Sequence, residues 1–242
     1  MSGTELTVVI PVLNEGARFQ ALWSNLNQHM PARSQVFVVY DFEEDDTLPI
    51  VKEIKAVGEK RLHLLKNSFG PGVVGAIKTG FDAVDTGPVV VVMGDLSDDL
   101  QQIGPMLELY DRGFHLVAGS RYMRGGSIRN GPWLKQGLSR LAGVSLFWLR
   151  GIPTHDSTNA FKLYDSKMLR SLKLESTKGF ELSLEITVKA FLAGFKIIEI
   201  PASWEERTAG TSKFRLWKWL PGYLKWYFYA FQPKRTPKIA TI

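Results

Sequence analysis

Short apolar runs alternate with stretches of helical periodicity through the first half of the chain. Runs typical of strands cover residues 6–12, 35–40, 62–65 and 88–93, and apolar positions at helical spacing cover 17–30, 48–57 and 73–84. Thr47 is placed to cap the second of these helices. Four consecutive valines in the last run indicate a strand that is buried on both faces. This alternation predicts parallel βαβ units and an open, doubly wound sheet of the α/β class.

The second half of the chain is less regular. Strands are predicted over 116–121 and 196–200, helices over 133–149 and 180–193, a loop over 125–131, and a loop leading into a strand over 156–164. No internal repeat appears, and no linker rich in Gly, Ser or Pro precedes Pro233. We therefore expect one domain over residues 1–213, an amphipathic aromatic and basic segment over 214–232, and a basic flexible tail over 233–242.

Polar side chains follow three of the predicted parallel strands at the point where each strand ends. Asn14 and Glu15 follow the first, Asp41 the second and Asp95 the strand with four valines. Ligands bind beyond the carboxyl ends of the strands in sheets of this kind. The pattern predicts that these groups meet at one crevice, although each one alone is also typical of an ordinary solvated loop.

Several of these residues suggest phosphate or metal chemistry. Asp95, Asp98 and Asp99 follow a buried strand, where clustered carboxylates suit Mg²⁺ or Mn²⁺, although solvated loops often carry such runs. Asp41 is placed to bond a ribose or a base. Lys78 follows the glycine-rich turn 70–75 and is a candidate phosphate contact, with a surface lysine as the commoner explanation.

Composition excludes several other classes of protein. The chain has no cysteine, so disulfides, thiolate metal sites and a cysteine nucleophile are excluded. Its 45% hydrophobic and 22% charged residues are typical of a folded domain with a substantial core. The four histidines are scattered and no Gly-x-Ser-x-Gly motif occurs, which disfavours a zinc site and a serine hydrolase.

The net charge of +6 is concentrated at the end of the chain. Residues 207–242 contain eight basic and no acidic side chains, whereas the first 206 residues carry 22 basic and 24 acidic ones. This asymmetry predicts an anionic partner for the tail. Arg207 and Lys213 frame a basic loop that can neutralise the diphosphate of a departing nucleotide. Arg121 and Arg129 offer a second positive focus, for an anionic acceptor.

Residues 214–231 contain nine aromatic side chains mixed with three cations, and Pro221 and Gly222 interrupt them. This pattern predicts two short amphipathic helices at a membrane interface. Packing of the aromatics on the core and an oligomer contact are the alternatives. No run of about 18 apolar residues occurs and the start lacks a signal-peptide pattern, so we expect a peripheral protein on the cytoplasmic face of a membrane. Nucleic acid is not an expected partner, because such aromatic density is unusual in a groove that follows phosphates.

Taken in order over residues 6–214, the motifs resemble those of the family 2 glycosyltransferases, specifically the dolichol-phosphate mannose synthase branch. The matching segments are Val8 to Glu15, Asp41 with Asp45 and Thr47, Gly75 to Phe81, Asp95 to Ser97, Gly119 to Tyr122, Asp156 to Tyr164, Gly179-Phe180 with Glu185, and Glu199 to Lys213. The resemblance implies a GT-A fold with a mostly parallel sheet. It also implies a GDP-mannose-like or UDP-sugar donor, Mg²⁺ or Mn²⁺, and inversion at the anomeric carbon.

The resemblance also implies roles for individual residues. The donor would contact Pro11, Leu13, Glu15, Val39, Asp41, Lys78, Gly94, Asp95, Ser97, Arg207 and Lys213. The metal would lie at Asp95, Ser97 and Asp98, and the acceptor side would comprise Arg121, Arg129, Asp156, Lys162 and Glu185. Catalysis would depend on Asp95, Arg121, Arg207 and Lys213. A polyprenyl phosphate acceptor needs no strong general base, because its oxygen is already an anion.

The chain departs from the family pattern at three places. Met93-Gly94-Asp95 stands where the family has Asp-x-Asp, so that Asp98 or Asp99 is a candidate substitute ligand. Tyr40-Asp41 replaces an Asp-Asp pair, and the 159–162 segment ends in Lys162 where the family has arginine. Two other functions stay open at this point. One is transfer to a saccharide or small hydroxyl compound, with Asp156 or Glu185 as base, and the other is a catalytically silent nucleotide-binding scaffold.

Overall fold

A computed structural model describes residues 5–130, 133–177, 179–205 and 216–234. Its strands are β1 (Thr7–Pro11), β2 (Gln35–Tyr40), β3 (Leu62–Lys66), β4 (Pro88–Val91), β5 (Leu116–Ser120), β6 (Ser127–Arg129), β7 (Lys162–Asp165), β8 (Ile197–Pro201) and β9 (Ser203–Glu205). Its α-helices are α1 (Arg18–His29), α2 (Thr47–Ala56), α3 (Val73–Asp82), α4 (Ile103–Asp111), α5 (Trp133–Arg150), α6 (Ser166–Ser171), α7 (Glu181–Leu192) and α8 (Leu216–Tyr229).

Seven strands form the central sheet in the order β3-β2-β1-β4-β7-β5-β8. Neighbouring strands are parallel except that β7 runs antiparallel to β4 and β5. The open, mostly parallel sheet predicted from the alternation is therefore confirmed. The short strands β6 and β9 pair with each other beside this sheet. As a result, β1, β2 and β4 deliver the loops that follow them to one edge.

The core lies on both faces of the sheet, as the valine-rich strands require. All of β1 is buried, and its alternate residues face opposite layers: Val9 packs in one apolar cluster, Val8 and Ile10 in the other. Helix α3 crosses β1 so closely that a Cβ on Gly80 would lie 2.3 Å from Val9 Cγ1. This close packing fixes the strand ends that carry the polar loops.

Two local expectations were wrong. Thr47 is the first residue of α2 and not its cap, and its hydroxyl instead accepts a hydrogen bond from the Glu15 amide. The predicted loop over 125–131 contains the strand β6, because three residues are enough to pair with β9 but too few to leave a periodic pattern.

The C-terminal aromatic segment forms one helix, α8, which runs through Pro221, and not the two short helices expected. An interior proline costs about 3 kcal/mol in a helix. Packing against α7 offsets this cost, since Trp226 and Ala230 are fully buried in the core. Leu224, Phe228 and Phe231 remain exposed on the opposite side. In the described residues, no helix is both long enough and apolar enough to cross a bilayer.

Candidate active site

The loop after β1 is fixed to the start of α2 by two backbone donors. The amide of Asn14 donates to Asp45 Oδ2 at 3.1 Å, and that of Glu15 donates to Thr47 Oγ1 at 3.0 Å. Asp45 and Thr47 are both buried, so these bonds are shielded from water. The loop that follows the first strand is thus held in a fixed position against the start of α2.

Asp41, at the end of β2, ties two further segments to the same edge. Its Oδ1 accepts a hydrogen bond from Asn67 Nδ2 at 2.7 Å, and its Oδ2 accepts one from the Gly72 amide at 2.8 Å. A carboxylate has about four acceptor sites. Asp41 therefore keeps capacity for a ligand hydroxyl or ring N–H while it holds the turn before α3 in place.

The loop after β4 lies directly against the loop after β1. A Cβ on Gly94 would lie 3.1 Å from Glu15 Cγ and 3.3 Å from the Pro11 carbonyl oxygen, so a larger residue would separate the two loops. Within the loop, Asp95 Oδ1 accepts from the Ser97 amide at 3.2 Å and Asp98 Oδ2 accepts from the Met93 amide at 2.7 Å. The loop is therefore closed on itself with its carboxylates held in place.

The oxygen donors of this loop fit a divalent cation. Asp95, Ser97 and Asp98 line the same cavity. Burial raises the pKa of Asp98 to about 7, and the nearby charge of Asp95 adds to that rise. In the described part of the chain, no three His, Cys, Asp or Glu side chains form a complete metal cage. Mg²⁺ commonly uses only one or two protein carboxylates together with substrate phosphates, so the donor set suits such an ion.

A cavity of about 430 Å³ extends from these carboxylates to α5 and α8. Apolar side chains of the two helices supply much of its wall: Leu138, Leu141 and Ala142 from α5, and Leu220, Tyr223, Leu224, Tyr227 and Phe228 from α8. This wall was not among the features predicted from the sequence. The sequence feature that could have indicated it is the large number of apolar residues in α5 and α8, two helices that lie far apart in the chain.

Three polar contacts hold α8 and the residues just after it against α5. The hydroxyls of Ser145 and Tyr227 lie 3.0 Å apart, and Arg150 Nε donates to the Ala230 carbonyl oxygen at 2.6 Å. Arg150 also donates from Nη2 to the carbonyl oxygen of Gln232 at 2.9 Å. These contacts attach the C-terminal part of α8 and residues 230–232 to α5.

Arg121 lines the cavity and is held by Asp156 from behind. Its Nε donates to Asp156 Oδ2 at 2.6 Å and its Nη2 to Asp156 Oδ1 at 2.9 Å. Burial alone would raise the pKa of Asp156, but the Arg121 charge and its hydrogen bonds outweigh that effect and leave the pKa lowered. Asp156 therefore orients the guanidinium, and its lowered pKa makes it a poor general base.

Three other candidate residues lie away from the cavity lining. Lys78 donates to the carbonyl oxygens of Leu174 and Ser176, at 3.2 and 2.6 Å. Glu185 is buried and accepts from the amides of Glu175 and Ser176 and from Lys189 Nζ. Lys162 is buried with three oxygen partners. Each of these side chains is taken up by internal contacts, so the structure does not place them where the donor and acceptor contacts were expected.

The remaining candidates divide between the edge of the sheet and the surface. Pro11 and Val39 are buried at the ends of β1 and β2, and Leu13 is half-buried beyond β1. Arg129 is exposed in β6, next to Ile128, which lines the cavity. Because side chains alternate along a strand, Arg129 faces away from the cavity. Arg207 and Lys213 lie outside the described residues.

Asp99 has a structural partner of its own. Its Oδ2 accepts a hydrogen bond from the Ser203 amide at 3.1 Å, which attaches β9 to the loop after β4. Trp204 of β9 lines the cavity beside Arg121, whose guanidinium carbon lies 6.0 Å from the ring centroid. Of the two candidate substitutes for the missing carboxylate, only Asp98 lines the cavity.

The chain is similar to known proteins over most of its length. Residues 7–173 match the sequence profile described as Glycosyl transferase family 2. The chain belongs to this family. It is 29% identical over 211 residues to polyprenol monophosphomannose synthase of Mycolicibacterium smegmatis, covering 85% of this chain and 79% of that protein. It is 28% identical to undecaprenyl-phosphate mannosyltransferase of Micrococcus luteus, covering 85% of each chain.

Solved structures support the fold. A crystal structure of glucosyl-3-phosphoglycerate synthase from Mycobacterium tuberculosis with UDP matches with a TM-score of 0.67 at 17% identity, over 94% of this chain and 80% of that one. A complex of the same enzyme with Mn²⁺, UDP and glucosyl-3-phosphoglycerate matches with a TM-score of 0.65 at 16% identity, over 98% and 82%. The chain is thus a glycosyltransferase with a GT-A fold, as the resemblance implied.

Proposed function

We propose that this glycosyltransferase transfers a hexose from a nucleotide-diphospho-sugar to a polyprenyl phosphate at a membrane surface, with inversion at the anomeric carbon. The observation that carries the proposal is the single cavity that joins the carboxylates of the loop after β4, the Arg121 guanidinium and the apolar faces of α5 and α8. A polyprenyl phosphate matches this cavity, because it has an anion at one end of an apolar chain. The names of the bacterial relatives support the same acceptor class.

On the donor side, the nucleoside would lie along the edge formed by Pro11, Leu13, Glu15, Val39 and Asp41. Asp41 would bond the nucleoside with its remaining acceptor capacity. Asp95, Ser97 and Asp98 would hold Mg²⁺ or Mn²⁺, and Gly94 would let the diphosphate approach. When bound, the cation supplies positive charge against the diphosphate leaving group. Arg207 and Lys213 would add charge on the same side.

On the acceptor side, Arg121 would orient the phosphate for attack. Asp156 holds the guanidinium with two short hydrogen bonds, so Arg121 is positioned before the acceptor arrives. The phosphate oxygen is already an anion and needs no base. Asp156 is engaged with Arg121, and Glu185 is buried away from the cavity lining. The two residues suggested as bases for a hydroxyl acceptor are therefore poorly placed, which favours the phosphate acceptor.

Contact with a membrane would let a long acceptor enter between the helices. The outer faces of α5 and α8 expose large apolar side chains: Trp133, Leu134, Leu138, Leu141, Trp148, Leu149, Leu224 and Phe228. Large contiguous apolar patches on a protein surface are typical of membrane or protein contacts. Arg140 is an exposed cation beside these side chains and suits anionic lipid heads, and Lys225 is exposed and paired with Glu175. The apolar surface adjoins the cavity because Leu138, Leu141, Leu224 and Phe228 belong to both.

The test is transfer of labelled sugar to a defined lipid. The protein is incubated with Mn²⁺ and either labelled GDP-mannose or UDP-glucose, in vesicles that contain a polyprenyl phosphate or the matching polyprenol. We expect organic-extractable label with the phosphate and none with the alcohol. Label that appears only in a water-soluble saccharide, or equally in both lipids, would overturn the proposal.

A further inference from the structure

Lys162 is a fully buried charge that the proposed reaction does not use directly. It begins β7, is fully buried, and donates to the Ser157 carbonyl oxygen at 2.7 Å, Ser183 Oγ at 2.8 Å and Thr187 Oγ1 at 2.9 Å. All three acceptors are neutral, and in the described part of the chain no carboxylate forms a salt bridge with it. An ammonium buried without a direct ion pair is costly, so its retention needs a reason.

Among the charged side chains, Asp156 has the largest effect on the pKa of Lys162. Burial lowers the pKa of Lys162 to about 7, the charge of Asp156 opposes that change, and the charge of Arg121 adds to it. The same attraction contributes to the lowered pKa of Asp156. One carboxylate thus faces two cations. When Lys162 is protonated, Arg121, Asp156 and Lys162 together carry one net positive charge. When Lys162 is neutral, the charges of Arg121 and Asp156 cancel and no net positive charge is left to attract an anion.

The hydrogen bonds of Lys162 also hold the turn that carries Asp156. Ser157 directly follows Asp156, and the hydroxyl of Ser183, a partner of Lys162, also donates to the Asn159 carbonyl oxygen. Asn159 in turn donates from its amide to Asp156 Oδ1 at 3.2 Å and from Nδ2 to the Gly119 carbonyl oxygen at 2.8 Å. The turn is therefore fixed between α7 and β5, the strand that leads to Arg121.

We propose that Lys162 is a positioning residue that holds the 156–159 turn under Arg121 and supplies the net positive charge with which this site attracts the acceptor phosphate. The proposal rests on the proposed function, because it assumes an anionic acceptor at Arg121. It reassigns Lys162 from direct contact with the acceptor, which its burial prevents, to action through Asp156.

The test compares binding of a short-chain polyprenyl phosphate with binding of the matching polyprenol in detergent. The affinity ratio isolates the contribution of the phosphate charge from that of the apolar chain. We expect a strong phosphate preference in the wild type, a loss of about tenfold in that preference in Lys162→Met, and retention of most of it in Lys162→Arg. Lys196→Met, the same change at an exposed lysine before β8, is the matched control and should keep the full preference.

The outcomes separate this proposal from the proposed function. If the wild type shows no phosphate preference, both are wrong. If the wild type prefers the phosphate and a folded Lys162→Met protein keeps that preference, only the role of Lys162 is wrong. Loss of affinity for phosphate and alcohol alike would indicate a merely structural role and would also overturn it.

A second measurement covers the case in which Lys162→Met does not fold. The phosphate preference of the wild type should fall between about pH 6.5 and 8.5 as Lys162 loses its proton. Asp156, with a lowered pKa, and Arg121, with a raised one, stay charged over this range. The contacts of α7 with Lys162 are through the neutral hydroxyls of Ser183 and Thr187, and Asp98 titrates across the cavity in every variant. Lys162→Arg keeps its charge and should therefore show a shallower fall. Identical profiles for the two proteins would contradict the proposal.

Discussion

At the scale of single residues, the buried ion pair of Arg121 and Asp156 bears both on stability and on the proposed acceptor site. Asp156 is fully buried, and Arg121 makes three hydrogen bonds to its carboxylate, two from the guanidinium and one from the amide. Removal of one partner of a buried pair leaves an uncompensated charge, which typically costs about 3–5 kcal/mol. The pair is therefore a constraint on folding as well as a device that aims Arg121 at the cavity.

This duality gives the first prediction. Arg121→Met should lower the free energy of unfolding by about 3–5 kcal/mol because it leaves Asp156 unpaired. The double variant Arg121→Met/Asp156→Asn should recover part of that loss, since it removes the orphaned charge, but should not recover sugar transfer. Denaturant unfolding and transfer assays measure the two effects. Recovery of transfer in the double variant would remove Arg121 from the reaction.

Asp98 gives a prediction about pH. Its carboxyl has an ordinary pKa of 3.8 and a raised pKa of about 7 in the folded protein, mainly because of burial. Between those values the folded state binds more protons than the unfolded state, so the free energy of unfolding falls as the pH rises, and the cost is complete above about 7. Asp98→Asn removes this cost while keeping an oxygen for the Met93 amide.

In metal-free buffer, Asp98→Asn should therefore melt at a higher temperature than the wild type at pH 8 and at nearly the same temperature at pH 4. Each kcal/mol corresponds to about 2–4 °C for a domain of this size. Asp82→Asn, an exposed carboxylate at the end of α3, is the control and should show no such dependence. An equal shift for Asp98→Asn at both pH values would contradict the assignment.

At the scale of elements, α5 and α8 each divide their side chains between two environments. Trp226 of α8 is 1% exposed and donates from its indole nitrogen to Ser176 Oγ, whereas Trp148 of α5 is 75% exposed. The aromatic density of 214–231 predicted an interface segment, and packing on the core was the stated alternative. The structure shows core packing for one face of α8. This core packing could not be predicted from composition, because the burial of Trp226 depends on contact with α7, which is a separate segment of the chain.

This division predicts opposite effects for the two tryptophans. Trp148→Ser should weaken binding to anionic vesicles with little change in stability. Trp226→Ala should instead lower the free energy of unfolding by about 3–5 kcal/mol, as large-to-small changes in a core do. Vesicle sedimentation and thermal melting distinguish the two. The double variant Trp148→Ser/Leu149→Ser is tested in the same way. If both variants bind vesicles as strongly as the wild type, this face of α5 is excluded from the membrane contact.

At the scale of the whole molecule, the sheet could be predicted from the sequence but the cavity could not. The alternation of strands and helices and the ordered motifs predicted the α/β fold, because those signals are local. The residues expected on the donor side and on the acceptor side needed three-dimensional placement. Lys162, Glu185 and Lys78 have the right chemistry, yet each is turned toward internal partners. The cavity wall required α5 and α8, two helices separated in sequence by α6, α7, β7, β8 and β9.

The proposed place of the acceptor is the cavity between α5 and α8, next to the edge where the nucleoside would bind. Ala142 lines that cavity, so Ala142→Trp should fill it, whereas Leu149→Trp changes an exposed position on the same helix. The decisive measurement is transfer of labelled sugar to polyprenyl phosphate by both variants, with nucleotide binding followed by thermal shift in Mn²⁺. Ala142→Trp should lose at least about a hundredfold in transfer while it still binds nucleotide, and Leu149→Trp should keep its activity. Undiminished transfer by a folded Ala142→Trp protein would contradict the account.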